Sequence, residues 1–337
     1  MTQPHSPGAR VGIVGASTLK GKELQAVLRE RQFPVSKMIL MDSDEDLGLL
    51  SEFDGEPVVS LAISESSFEF LDLVFFAGNP NSAVSYARLG GDRNFVAIDL
   101  TNALSKDRRF PLFLEIDKGK KPGITPVQGV ICSPHPAAIS IALVLQRLSS
   151  KHQIRYSVIS IFEPASERGN MGVDELEKQT LNIFSFHKGP EIVFNRQLAF
   201  NLLSRLGEQA KERLIDGEEV IAHQLSVLLG GDCPLPALTL IQAPVFHSYS
   251  FSIFVEMDRK VSVDETESLL ECENVTVIRS ADEPPSPAQV AGMDTIQIGG
   301  IKPDFLNPNG LWFWAVSDNL RLAAINAVAA AEAVFLP

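Results

Sequence analysis

Residues 130–145 read VICSPHPAAISIALVL, an apolar strand running into an apolar helix, and the junction is a place where enzymes often hold a nucleophile. Three side chains there invite a chemical reading. Cys132 lies within the apolar strand, where a thiol is ordinarily an inert part of the core. His135 stands at the turn, but a general acid or base needs an oriented partner, and adjacent sequence identifies none. Pro136 has no reactive atom, and proline suits the first turn of a helix because its missing N–H has no partner there anyway.

A second candidate lies near the start. Gly15-Ala-Ser-Thr-Leu-Lys-Gly21 joins an apolar run, RVGIVGA, to a helical pattern, and unpaired N–H groups at a helix start can receive a pyrophosphate. Gly15, Ser17, Thr18, Leu19 and Gly21 are therefore the candidate cofactor contacts. Thr18 stands where a dinucleotide turn prefers glycine, adding a side chain where phosphate and backbone approach closely. The same segment is also readable as a plain strand-to-helix connection. About twenty residues beyond Gly21, Asp42 ends the next strand, at the separation where a carboxylate binds a ribose 2′-hydroxyl. With Asp44, Glu45 and Asp46 it would repel a 2′-phosphate and favour NAD over NADP; an acidic turn facing water is the other reading.

The elements needed to place these residues follow from periodicity. KGKELQAVLRER carries Leu24, Val27 and Leu28 at helical spacing, and KMILMD, LDLVFFAG, FVAIDL and GVICS are nearly continuous apolar runs. Such strands suit a parallel sheet covered on both faces. RYSVISIF, LTLIQAPV, SYSFSIFVEM, VTVIR, TIQIGG and LWFWAV instead tend to alternate, as in a sheet with one wet face. Helices are expected over 173–184 and from Glu218 to a stop at Gly230. Residues 281–292, ADEPPSPAQVAG, read as a proline-rich loop. The final SDNLRLAAINAVAAAEAVFLP is an alanine-rich helix whose Asn326 and Glu332 suit docking on protein rather than crossing lipid.

Composition narrows the function classes. A chain of 337 residues with 45% hydrophobic content can bury a large core and divide into two domains. Its net charge of −13 opposes attraction to nucleic acid or anionic membranes. Neither a signal-peptide core nor an apolar span of roughly 18 residues is present, so a cytoplasmic protein is expected. Cys132, Cys233 and Cys272 lack the close pairing of zinc or redox sites, and no metal is expected.

Taken in order, GIVGAS, RQFPVSKMILM, PLFLEID, GVICSP, GVDELEKQT, VFN (193–195), APVF and NGLWFWAVSDNLRLAAINAV resemble the aspartate-semialdehyde dehydrogenase family from about residue 10 to 333. The resemblance implies an α/β protein with a Rossmann-like doubly wound parallel sheet and a second α+β domain for substrate and dimerisation. The expected boundaries are 1–133 plus 317–337 for the dinucleotide-binding domain and 134–316 for the second. It further implies a cytoplasmic homodimer using NAD or NADP.

Members of that family attack an acyl phosphate with a cysteine at this helix start, forming a thioester that exchanges hydride with NADP. The family's PNCST pattern falls on PHPAA, which puts Pro136 on the cysteine. Cys132 is four residues away, about 13 Å along a strand. The other family positions change as well. Glu163 replaces a glutamine, Gln242 a substrate-binding arginine, Tyr249 the acid/base histidine and Ser105 a phosphate-binding arginine, with Lys106 beside it. Glu218 matches a substrate glutamate, whereas Ile221 replaces its lysine partner. Gly169, Gly172, Asn195, Pro244 and the run from Asp318 to Arg321 are retained. Asn319 resembles a residue that approaches nicotinamide, although it could equally cap the last helix.

A pocket without those arginines, thiol and imidazole would bind a polyanionic acyl phosphate weakly and lack covalent and acid/base routes. A catalytically degenerate homologue that dimerises and binds a dinucleotide is therefore expected. The alternatives are an oxidoreductase with a changed substrate, using His135, Glu163 or Tyr249 for proton transfer, and a non-catalytic partner of another subunit.

Overall fold

The computed structural model describes residues 8–42, 50–53, 56–115, 125–126, 129–231, 233–279 and 282–336. The chain divides into two compact units. The described part of the first is drawn from Met1–Glu115, Gly119–His135 and Ala323–Pro337, and that of the second from Pro136–Leu322.

In the first unit the chain runs β1 (Ala9–Val14), α1 (Leu19–Glu30), β2 (Val35–Asp42), β3 (Leu50–Phe53), β4 (Glu56–Val59), β5 (Leu61–Ala62), β6 (Leu73–Phe76), α2 (Pro80–Tyr86), α3 (Leu89–Arg93), β7 (Val96–Asp99) and β8 (Val130–Cys132). Six strands form a parallel sheet in the order β5-β2-β1-β6-β7-β8, while β3 and β4 make a separate antiparallel pair. Counted along the sheet, that order is 3-2-1-4-5-6, the doubly wound arrangement that reverses direction between its first and fourth strands and opens a crevice beyond their carboxyl ends.

The continuous apolar runs have a direct cause. Val11, Ile13, Leu73, Phe75, Ile98 and Ile131 face a layer containing Leu24, Val27 and Leu28 of α1. Their alternate neighbours Val74, Phe76, Ala97 and Val130 face Phe68, Ala83 and Phe95 on the opposite side. Both faces are covered, so neither can be polar. Full burial of each large α1 side chain contributes roughly 1.5–3 kcal/mol.

The second unit contains α4 (Pro136–Ser149), β9 (Ile154–Glu163), α5 (Gly169–Phe184), α6 (Leu214–Leu228), β10 (Ala237–Gln242), β11 (Tyr249–Met257), α7 (Val263–Leu270), β12 (Val275–Val277), α8 (Pro287–Val290), β13 (Ile296–Pro303), β14 (Gly310–Ser317) and the start of α9 (Asn319–Phe335). The mixed sheet runs β10-β9-β11-β14-β13-β12. Its alternation puts Ile159, Ile161, Phe251, Ile253, Leu311 and Phe313 in the core. Phe162, Phe254, Trp312 and Trp314 lie at half-buried positions of the same strands.

Two expectations shift. The helix expected at 173–184 begins at Gly169, after a tight 3-10 turn over Ala165–Arg168. The proline-rich segment contains a helical turn, α8, because Ser286 and Gln289 form a reciprocal cap around Pro287 at the first position. Ala281 lies outside the described residues. The alanine-rich end of α9 belongs to the first unit, where Ala324, Ala327 and Val328 join the layer against the sheet.

Candidate functional site

At the carboxyl end of β1, Gly15 adopts φ +84°. A Cβ on neighbouring Gly78, just past β6, would stand 2.7 Å from the Gly15 Cα, so the two strand ends meet backbone to backbone. A Cβ on Gly21 would collide with the Gly15 carbonyl oxygen. Bare backbone is therefore required at three points where β1, β6 and α1 converge on the crevice.

Thr18 caps α1. Its Oγ1 accepts from Gly21 N at 3.0 Å and lies 2.7 Å from the Gly15 carbonyl, to which it donates. The side chain is thus engaged with the turn's own backbone, while the first-turn N–H groups and the positive end of the helix dipole remain those of an anion-binding turn. This fits the pyrophosphate of a dinucleotide.

Asp42 is not a water-facing acid. It is buried, its Oδ1 accepts from Ser17 N and Ser17 Oγ, both at 3.0 Å, and its Oδ2 accepts from Ser60 Oγ at 2.7 Å. The carboxylate ties the glycine turn to the end of β2 and to Ser60. Asp44, Glu45 and Asp46, the remainder of the acidic run, lie outside the described residues. Ser105 is also inward: it is buried and donates to the Asn102 carbonyl at 2.9 Å, while Lys106 is exposed. Cys132 is fully buried, and burial, reinforced by Asp99 and Asp107, raises its thiol well above the ordinary value, so it remains protonated. His135 is buried beside it in sequence.

The second unit gathers Glu163, Gln242 and Tyr249, three of the positions the resemblance singled out, at one end of its sheet. Gln242 of β10 pairs in register with Glu163 of β9, and Tyr249 of β11 pairs with Ser317 of β14. Tyr249 OH donates to Glu163 Oε2 at 3.1 Å, and Gln242 Nε2 donates to the Glu163 carbonyl at 2.8 Å. Strand alternation aims Glu163 and Tyr249 into the core, where both are fully enclosed. Arg168, from the 3-10 turn, donates to Glu163 Oε1 at 2.6 Å and to the exposed Glu212 at 2.8 Å.

Burial dominates the electrostatics. It raises Glu163 from the ordinary 4.5 to about 7 against the opposing pull of Arg168. Burial likewise raises the Tyr249 hydroxyl well above 10, helped by Glu163. For Arg168, burial acts downward, but the Glu163 and Glu212 carboxylates outweigh it and keep the guanidinium charged. The row contains an acid, a phenol and an amide.

Pro136 opens α4, whose first turn reaches the same end of the sheet. Ser140 Oγ donates to the Pro136 carbonyl at 3.0 Å and lies 2.9 Å from Ser317 Oγ, the residue paired with Tyr249. Asn319 is fully buried. Its Oδ1 accepts from Ser166 Oγ and Ser248 N, both at 3.2 Å, and its Nδ2 donates to Glu167 at 3.1 Å. Capping of α9 falls to Asp318, which accepts from Leu320 N and Arg321 N, because only the residue before the helix has its side chain in position to meet those donors. Ser248 is held at φ 75°, a conformation that stores strain for a residue with a Cβ.

Glu218 accepts from Leu240 N at 2.7 Å, supporting β10, and Ile221 is buried core. Gly169 takes φ +66°, and a Cβ at Gly172 would strike the Ala165 backbone. Asn195 accepts from Gln209 N at 3.2 Å. These positions organise the scaffold. Sequence reasoning missed Gly78, Ser60 and Arg168. The glycine ending LDLVFFAG signals the first, whereas the other two depend on loop paths that carry no periodic pattern. Among the described residues, no group of His, Cys, Asp and Glu could hold a metal ion.

Two family descriptions account for most of the chain: "Semialdehyde dehydrogenase, NAD binding domain" matches residues 10–148 and "Semialdehyde dehydrogenase, dimerisation domain" matches residues 145–322. An aspartate-semialdehyde dehydrogenase of Rickettsia bellii is 29% identical over 327 residues, covering 96% of each chain. One from Aquifex aeolicus is 28% identical, covering 96% of this chain and 97% of that one. A solved structure of a probable aspartate-semialdehyde dehydrogenase from Pseudomonas aeruginosa superposes with a TM-score of 0.88 at 26% identity, covering 98% and 99% of the two chains.

Proposed function

The chain belongs to the semialdehyde dehydrogenase family, and from that premise we propose a dinucleotide-binding, cytoplasmic homodimer that has lost the reductive dephosphorylation of aspartyl phosphate. The observation that carries this reading is the pairing of Pro136, at the helix start, with the enclosed Gln242–Glu163–Tyr249 row. A thioester route needs a nucleophilic sulfur and a base that exchanges protons near neutral pH. Pro136 supplies no sulfur, the Cys132 thiol is held protonated, and the Tyr249 hydroxyl, at the position matched to the family's acid/base histidine, is raised well above neutral pH, so the missing sulfur decides the loss even with Glu163 near 7.

The nucleotide would sit against Gly15, Ser17, Thr18, Leu19 and Gly21, with its phosphates on the α1 amino terminus. When bound, such a cofactor supplies hydride exchange. The chain's own part is to approach it closely with bare backbone at Gly15 and to hold the turn through Asp42. A carboxylate at the end of β2 favours NAD over NADP, since a 2′-phosphate would add like charge. Asn319, carried over from the family, would stand by the nicotinamide. The dinucleotide-binding domain is taken as 1–133 plus 317–337 and the substrate and dimerisation domain as 134–316.

The test is an assay of purified protein with aspartate semialdehyde, phosphate and NAD or NADP, beside equilibrium nucleotide binding. Binding without turnover is expected, with NADH tighter than NADPH. Turnover at ordinary enzymatic rates would overturn the loss of chemistry. A second reading is favoured by Glu163, which sits near neutral pH beside Tyr249: hydride transfer to a carbonyl that needs proton transfer but no thioester. Oxidation of NADH by an aldehyde or ketone, abolished in Glu163→Gln, would select it.

A further inference from the structure

Arg168 holds two carboxylates of opposite character. Glu163 is enclosed, whereas the Glu212 side chain is 64% exposed. An ion pair with a solvated carboxylate contributes little, because water competes for both partners and ordering the side chain costs entropy. The Glu163 arm is therefore the permanent anchor and the Glu212 arm a readily exchanged one.

Beside that weak arm lies a cavity of about 150 Å³ lined by Arg168, Met171, Ile192, Val193, Lys211 and Glu212. Its lining combines the apolar Met171, Ile192 and Val193 with the cations Arg168 and Lys211 and the carboxylate of Glu212. Met171 and Ile192 are 61% and 70% exposed, so the cavity mouth presents two large apolar side chains to solvent. The wall is also preformed. Buried Glu175 of α5 accepts from the N–H groups of Ile192, Val193 and Phe194 at 2.8, 2.6 and 3.2 Å, fixing that loop against the helix. A preorganised concavity avoids part of the entropy lost on binding.

We propose that this cavity binds a small monocarboxylate with a short branched apolar tail, its carboxylate replacing Glu212 on Arg168 and its tail resting on Met171, Ile192 and Val193. The guanidinium keeps two carboxylate partners throughout, and the added negative charge is met by Lys211 while Glu212 swings into solvent. Lys211 supplies a second cation at the rim. The inference stands apart from the nucleotide turn and requires no chemistry at Pro136.

Glu212 is then a built-in competitor, so affinity for a free carboxylate is reduced by the fraction of time the arm is occupied. Calorimetric titration of the full chain with 3-methylbutanoate, acetate and 3-methylbutan-1-ol tests this. The branched carboxylate is expected to bind, with acetate and the uncharged alcohol much weaker. Glu212→Gln, a surface change, should tighten 3-methylbutanoate by about threefold by removing the competitor. Ile192→Trp, also at an exposed position, should abolish binding by filling the cavity while leaving the melting temperature near that of the parent. Absence of binding by the parent, equal affinity for the alcohol, no change in Glu212→Gln, or undiminished binding by Ile192→Trp would each overturn the assignment.

Discussion

Glu163 lies in an environment where a carboxylate is costly and a carboxylic acid is comfortable. Its folded value of about 7 exceeds the ordinary 4.5, so between those pH values the folded chain binds more protons than the unfolded one. Stability contributed by the protonated form is fully present below about pH 4.5 and is lost as pH rises toward 7, with a slope of at most about 1.4 kcal/mol per pH unit from one proton. Glu163→Gln should flatten that slope, its one amide oxygen accepting from Arg168 and its amide nitrogen donating to the Tyr249 hydroxyl oxygen, as read by denaturant melts across the window. At Pro136 the expectation concerns chemistry. Pro136→Cys puts a thiol at the helix start while leaving Glu163, Gln242, Tyr249 and Ser105, the other positions on which the proposed reading rests, as they are. Because position 136 is buried, the new thiol should resist iodoacetamide in the folded chain and react once the chain is unfolded, and turnover should remain at least ~100-fold below ordinary rates, since acid/base assistance alone is worth that much.

At the scale of elements, close approach explains which glycines matter. Gly78→Ala places a methyl against the Gly15 backbone and should push β6 from the turn. A loss of about 1–3 kcal/mol in stability is expected from overpacking, together with weakened NADH binding in a fluorescence titration. Helix α9 shows why an alanine-rich segment docks on protein. Asn326 is buried, its Nδ2 donating to the Phe113 carbonyl and Ser133 Oγ, both at 2.9 Å, and its Oδ1 accepting from Glu115 N at 3.0 Å. Glu332 pairs with Arg31 at 2.9 Å. Asn326→Leu leaves several buried polar groups without partners and should cost ~2–4 kcal/mol, measured by urea unfolding. The polar interruptions were legible as a docking signal; their partners were not, because Phe113 and Ser133 are distant in sequence.

For the whole molecule, the second unit's sheet leaves an aromatic face only half covered within one chain. Phe162 lies 5.8 Å from Trp314 and Phe254 lies 5.1 Å from Trp312, ring centre to ring centre, beside a cavity of about 670 Å³ and the nearly fully exposed Phe305. Residues 145–322 match a dimerisation-domain family, and the homodimer proposed above is expected to use this face, which would cover tryptophans that a monomer leaves half-buried. On that expectation the parent is dimeric in light scattering and Trp314→Glu is monomeric, while nucleotide binding to the first unit is retained. Among the described residues, no helix is long and apolar enough to cross a membrane.

The sequence alone determined the two kinds of sheet, because covering both faces demands continuous apolar strands and covering one demands alternation. It also determined that position 136 has no nucleophile, since proline's chemistry does not depend on its surroundings. Only tertiary structure decided that Asp42 braces the turn through Ser17 and Ser60, that Asp318 rather than Asn319 caps α9, and that Glu163, Gln242 and Tyr249 share one enclosed row. The reason is range: periodicity records which face of an element is buried, while hydrogen-bond partners and burial of charge are set by strand register and loop paths joining residues dozens of positions apart.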